Sequence, residues 1–231
     1  MSPRSRQLLL LVLALGCFGL AWAFAKTASE MLEGELLAID TAVQHWVALH
    51  RSETLRAVFS VTTYLGAKEV LAPVAALAGW RLFRGTKLLL ALLALTALAA
   101  GEFVALLKRD FHIMRPAGGV AEHLGYSFPS GHATGAAAVA VLFAYIAIRQ
   151  RVHPRIIVSL CALIALLVGI SRVYLDVHWA SDVLGGWTVG AAFGAGCCAV
   201  YELLHRDQMK SGVVHSQSTH WHDATVAEPE S

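Results

Sequence analysis

Apolar stretches of about 20 residues recur along this chain, and they restrict its fold more than any other feature. A run of that length crosses the hydrocarbon core of a bilayer as a helix, because lipid forces every backbone N–H and C=O to pair internally. Six such segments stand at about 7–25, 58–80, 88–107, 133–148, 156–174 and 183–203. Hydrophobic residues make up 57% of the 231-residue chain and charged residues 15%, against about 25% charged in soluble domains. The pattern predicts an all-α polytopic membrane bundle of about six transmembrane helices over residues 1–206. The polar tail 207–231 is expected to be disordered, although His220 and His222 stand close enough together to raise metal binding as the other reading.

Basic residues set the orientation. Arg4 and Arg6, then Arg81, Arg84 and Lys87, then Arg149, Arg151 and Arg155, then Arg206 and Lys210 fall between spans so as to share one side. The positive-inside rule makes that side cytoplasmic. The opposite side holds Lys26, Arg51, Arg56, Lys108, Arg109, Arg115 and Arg172. The first segment follows a basic Met1–Gln7 and ends near Ala23-Phe24-Ala25, which resembles a signal-peptidase site. Its apolar run is long for a signal peptide, so an uncleaved helix is expected. Residues 30–57, with Leu36, Ile39, Val43, Trp46, Val47 and His50 at helical spacing, read as an amphipathic helix on the outer interface or as a packed ectodomain helix. Lys68, Glu69 and Glu102 fall within predicted spans. An ionisable group at the bilayer centre costs about 2.5–3.5 kcal/mol, so these are expected inside the bundle or near an interface. Cys17, Cys161, Cys197 and Cys198 lie in apolar stretches and show neither disulfide nor zinc spacing. No nucleic-acid motif is present, and nothing in the sequence fixes an oligomeric state.

Three polar clusters lie on the outer side, at span ends. They are Lys108 to Pro116, Phe128 to His132, and Ser171-Arg172 followed by His178 and Asp182. Lys108, Arg115 and Arg172 are three cations with only Asp110 and Asp182 nearby to balance them, so a polyanion completes the set, and phosphate fits it. Ser130 is placed to cap the helix that follows, whose first N–H groups would point at an anion. Gly131 permits close backbone approach, and His132 lies beside the same anion. His178 and Asp182 are four apart, which on a helix puts them on one face. A carboxylate on one ring nitrogen fixes the tautomer and leaves the other nitrogen's lone pair free to attack. A second histidine can then protonate a leaving oxygen. Taken singly, each cluster is more often structural: an ion pair, a turn with a helix cap, or basic side chains reaching for the interface.

Together the clusters resemble the three motifs of the type 2 phosphatidic acid phosphatase superfamily: Lys-x6-Arg-Pro, Pro-Ser-Gly-His and Ser-Arg-x5-His-x3-Asp. They stand here as Lys108 to Pro116, Pro129 to His132 and Ser171 to Asp182. The resemblance implies a membrane lipid phosphatase in which His178 is the nucleophile, Asp182 orients it and His132 is the general acid. It implies that Lys108, Arg115, Ser130, Gly131 and Arg172 hold the phosphate, without metal or other cofactor. By analogy with bacterial members it implies an inner-membrane enzyme facing the periplasm. Undecaprenyl diphosphate is then the expected substrate, and phosphatidylglycerophosphate, phosphatidic acid or lipid A 1-phosphate the alternatives. A catalytically silent lipid-binding or transport protein would be favoured by loss of a motif residue, and none is missing.

Overall fold

In the computed structural model, backbone is described for residues 3–83, 87–117 and 125–223, and side chains for 4–83, 91–117 and 125–204. Eight α-helices occupy these residues: α1 (Pro3–Glu33), α2 (Leu37–Leu49), α3 (Glu53–Thr62), α4 (Lys68–Phe83), α5 (Lys87–Phe111), α6 (Gly131–Gln150), α7 (Pro154–Tyr174) and α8 (Ala180–Asp223). A 3-10 turn, Thr63–Gly66, joins α3 to α4. Five helices are long and apolar enough to cross a membrane, lying in α1, α5, α6, α7 and α8. The protein is an all-helical multi-pass membrane protein.

The expected span 58–80 is the one that differs. It breaks at the 3-10 turn into α3 and the 16-residue α4. At 1.5 Å per residue α4 is about 24 Å long, shorter than the hydrocarbon core. It nevertheless returns the chain across the bundle, because the end of α1 and the start of α5 lie on opposite faces. Phe24 near the end of α1 stacks on Phe128 beside the polar clusters, with ring centroids 5.6 Å apart. Arg6 at the other end donates to the Glu202 carbonyl at 2.5 Å. Lys68 and Glu102 pair at 2.9 Å, and both are exposed. They lie between α4 and α5, at the first residue of α4, rather than inside the bundle.

The expected 30–57 helix is also divided. α1 runs on to Glu33, Gly34 turns the chain with φ +78, and a second break at His50–Ser52 separates α2 from α3. α8 continues past residue 206 to Asp223, so the expected tail begins within its bounds. The side chains of His215, His220 and His222, and residues 224–231, lie outside the described residues.

α6 is the central helix, with Ala138, Leu142, Ile146 and Ala147 buried. α8 meets it through glycines four apart. A Cβ on Gly186, Gly190 or Gly194 would come 2.8, 2.3 or 2.6 Å from the carbonyl oxygens of Ser130, Thr134 and Ala138. Small residues at this spacing let two membrane helices approach backbone to backbone. Phe128 wedges the site end of the bundle shut: it is fully buried, stacked by Phe24, met edge-on by Phe111 at 5.1 Å and packed where Gly185 lacks a side chain. Of the cysteines, Cys198 is buried, and Cys17, Cys161 and Cys197 are half-buried thiols.

Candidate active site

The turn between α7 and α8 carries the histidine–carboxylate pair. His178 Nδ1 lies 3.1 Å from Asp182 Oδ2, and both side chains are buried. The sequence expectation put both on one helical face. Instead His178 precedes α8, and Asp182 sits in its first turn. Asp182 Oδ2 reaches back to accept the Trp179 N–H at 2.8 Å, which is the reciprocal half of a capping box. The cap and the imidazole therefore share one carboxylate oxygen. The other oxygen, Oδ1, accepts from Ser127 Oγ at 3.2 Å. With Nδ1–H donating to Asp182, the lone pair of His178 is on Nε2, which faces Arg115 Nη1 at 3.4 Å. Burial, then the charges of Lys108, Arg172 and Arg115, holds His178 well below the usual imidazole range, so the ring is neutral.

The cations converge from three elements. Lys108 at the end of α5 donates to the carbonyls of Tyr126 and Ser127 at 2.8 and 3.1 Å. Arg115 donates from Nε to the Gly125 carbonyl at 3.0 Å and from Nη1 to the Val177 carbonyl at 2.5 Å. Burial lowers its pKa, and Asp182 partly offsets that. Arg172 at the end of α7 donates to Thr63 Oγ1 at 2.8 Å, while its Nε is buried without a partner among the described residues. Asp110, the other acid expected to balance these charges, is exposed on the far side of Phe111 in sequence.

Ser130 precedes α6, but its hydroxyl makes no cap hydrogen bond. Ser130 thus stands at the expected N-cap position with extended backbone, but its Oγ is buried and has no partner among the described residues. Its backbone N–H instead donates to the Asp182 carbonyl at 2.9 Å, tying the second motif to the third. The first N–H groups of α6 are left without intrahelical acceptors. A Cβ on Gly131 would meet only Val104 Cγ1, at 3.7 Å, so packing within the protein does not require glycine there. His132, half-buried, lines two cavities of about 380 and 210 Å³, the first shared with Arg172 and the second with Gly131. A hydroxyl and a guanidinium nitrogen without partners, beside two further cations and a neutral imidazole, suit a tetrahedral oxyanion bound for in-line attack. All eight residues singled out in the sequence stand around this one face. Gly118 and Gly119, expected in the loop between the motifs, lie outside the described residues.

Sequence reasoning missed the contribution of α2. Asp40 is buried and accepts from the Ser181 N–H at 3.0 Å and the Ser181 hydroxyl at 2.5 Å. Gln44, one turn on, donates to the His178 carbonyl at 3.1 Å. Val47 continues the same face and is buried. The inward face of α2 is thus partly polar, and Ile39 and Trp46, on the apolar face expected either at the interface or packed, are exposed. The signal available was Asp40 and Gln44 four apart; their partners lie more than a hundred residues away, where no local pattern reaches.

The sequence pattern of the PAP2 superfamily matches residues 85–206. This chain belongs to the PAP2 superfamily. All eight motif residues fall within the PAP2 region, whereas α1 to α4, with Asp40, Gln44 and Thr63, lie outside it. The chain is 34% identical to phosphatidylglycerophosphatase B of Bacillus subtilis over 173 residues, 72% of this chain and 85% of that protein. A shorter similarity, 40% over 68 residues and 29% of each chain, links it to undecaprenyl-diphosphatase of Sulfolobus acidocaldarius. The crystal structure of a transmembrane PAP2-type phosphatidylglycerolphosphate phosphatase from Bacillus subtilis superposes with a TM-score of 0.73 at 29% identity, covering 80% of this chain and 96% of that one. Aquifex aeolicus LpxE superposes at 0.51 and 26% identity, over 71% and 93%. The protein is a PAP2-type membrane phosphatase acting on lipid phosphates.

Proposed function

We propose that this PAP2 enzyme hydrolyses lipid phosphates through a phosphohistidine on His178, with its site on the outer face of a bacterial inner membrane and undecaprenyl diphosphate as substrate. The observation that carries the mechanism is the buried His178, bonded through Nδ1 to Asp182 with Nε2 turned toward the cations. In this reading Nε2 attacks phosphorus while Lys108, Arg115, Arg172, Ser130 Oγ and the N–H groups at Gly131–His132 hold the three non-bridging oxygens. Charge on those oxygens is met by fixed donors in place of water, so little reorganisation is needed as the pentacoordinate state forms. The bond from phosphorus to the leaving oxygen breaks, and its electron pair takes a proton from His132. Neutral His132 then draws a proton from water as that water attacks the phosphohistidine. Inorganic phosphate leaves and His178 returns neutral.

Phosphatidylglycerophosphate is the second reading, favoured by the similarity to phosphatidylglycerophosphatase B along most of the chain. The shorter similarity to an undecaprenyl-diphosphatase supports the first. Purified protein in detergent, without added metal, is offered undecaprenyl diphosphate, phosphatidylglycerophosphate, phosphatidic acid and lipid A 1-phosphate. Phosphate release that disappears in His178→Ala supports the reading, and the ranking of kcat/KM decides the lipid. No release from any of them contradicts it.

A further inference from the structure

Among the described residues, two cavities touch His132, and they differ in charge. The smaller, about 210 Å³, is walled by Lys68 and Glu69, and Lys68 is already paired with Glu102. The Glu69 carboxylate in its wall opposes an anion. The larger, about 380 Å³, is walled by Arg172 and by α3 and the 3-10 turn, through Arg56, Ser60, Thr63 and Tyr64. These positions follow the helical repeat i, i+4, i+7, i+8, so one face of this segment looks into the cavity. None of the described residues lining it is acidic. The neighbouring Asp176 is paired with Arg51. Arg56 is exposed, and among the described residues no carboxylate pairs with it. Thr63 joins the cavity to the phosphate site by accepting from Arg172 at 2.8 Å.

His132, the proton donor in the proposed reaction, marks where the leaving oxygen emerges. Of these two cavities, the larger is the one that suits an anionic group attached to that oxygen. We propose that Arg56, with Ser60 and Tyr64, is a subsite for a second anionic group on the leaving side of the lipid. The enzyme then selects lipids whose leaving group is itself a phosphate, as in a diphosphate, or carries a nearby phosphodiester, as in phosphatidylglycerophosphate. Phosphatidic acid, which leaves a neutral alcohol, lacks that contact. This subsite rests on the assignment of His132 above and adds a reason for substrate choice from a segment outside the PAP2 region.

The test compares kcat/KM for an isoprenoid diphosphate, phosphatidylglycerophosphate and phosphatidic acid in the full-length protein and in Arg56→Gln, Arg56→Lys and Ser60→Ala/Tyr64→Phe. Arg56 is exposed, so its replacement is expected to leave the fold intact. The expected result is a fall of about tenfold in the ratio of a doubly anionic lipid to phosphatidic acid in Arg56→Gln, the loss of one charge-assisted contact. Arg56→Lys restores most of it, and the double variant shifts the ratio the same way. A shift confined to the diphosphate assigns the group to a second phosphate, and one confined to phosphatidylglycerophosphate assigns it to the phosphodiester. Unchanged ratios, or an equal loss on all three lipids, overturn the subsite. No turnover by the unaltered protein contradicts the phosphatase mechanism instead.

Discussion

A neutral imidazole at position 178 is what burial and three neighbouring cations enforce. The deprotonated ring is the reactive form, so activity rises with pH through its pKa. That pKa is held well below 6.5. The acid limb of kcat/KM, which reports the free enzyme, is therefore expected below pH 6.5, with activity retained as pH falls from neutrality toward about 6.5. A limb centred above 7 would contradict the assignment. His132 acts at a different atom and predicts a different signature. His132→Ala should lower kcat/KM for a lipid phosphate monoester, whose leaving oxygen is an alkoxide, by about 10²–10⁴-fold, the usual worth of a placed general acid. The loss in kcat/KM should shrink to about tenfold or less on 4-nitrophenyl phosphate, whose leaving oxygen needs no proton, as a diphosphate's leaving phosphate also scarcely does. Equal losses on both substrates would remove His132 from that role. Ser130 shows where residue-scale reading succeeded for the wrong reason. The Pro-Ser-Gly pattern located the residue at the cap, where it stands, but its hydroxyl makes no cap hydrogen bond and has no partner among the described residues.

The nucleophile is positioned at the scale of elements by helices that share little sequence logic with it. Asp40 and Gln44 of α2 grip Ser181 and the His178 carbonyl. Asp40→Ala leaves the buried Ser181 donors unpaired, at about 1–3 kcal/mol. It is expected to lower kcat more than it raises KM, with Asp40→Asn recovering part of the loss. A thermal shift with unaltered kcat would reduce α2 to a structural prop. The glycine stripe makes a stability prediction. Gly190→Val places atoms within the Thr134 carbonyl, and overpacking of that kind costs about 1–3 kcal/mol. A lowered melting temperature in detergent checks it. The spans α5 to α8 and the three motifs were readable because both are local: twenty apolar residues, or a fixed spacing at a span end. The division of 58–80, the polar inner face of α2 and the shared oxygen of Asp182 depend on contacts between distant segments, and no local pattern carries them.

Across the whole molecule the two ends of the bundle have opposite characters. One gathers the eight motif residues. The other closes on Glu202, whose carboxylate is buried and bonded to Tyr145 at 2.6 Å and Arg149 at 2.7 Å. The positive-inside rule, applied to the basic clusters in the sequence, is the ground for expecting that second end in the cytoplasm. In a chain lacking its four cysteines, a cysteine at Val120 should therefore react with an impermeant maleimide on intact cells, and one at Val152 should not. The reverse pattern refutes the outward-facing site. Catalysis as proposed depends on phosphorus passing through His178. Turnover of a radiolabelled lipid phosphate, quenched in alkali and followed by peptide mapping, measures that directly. The expected result is an acid-labile, base-stable label on His178 that is absent from His178→Ala. Label on Ser130, or an acid-stable adduct elsewhere, would contradict the mechanism.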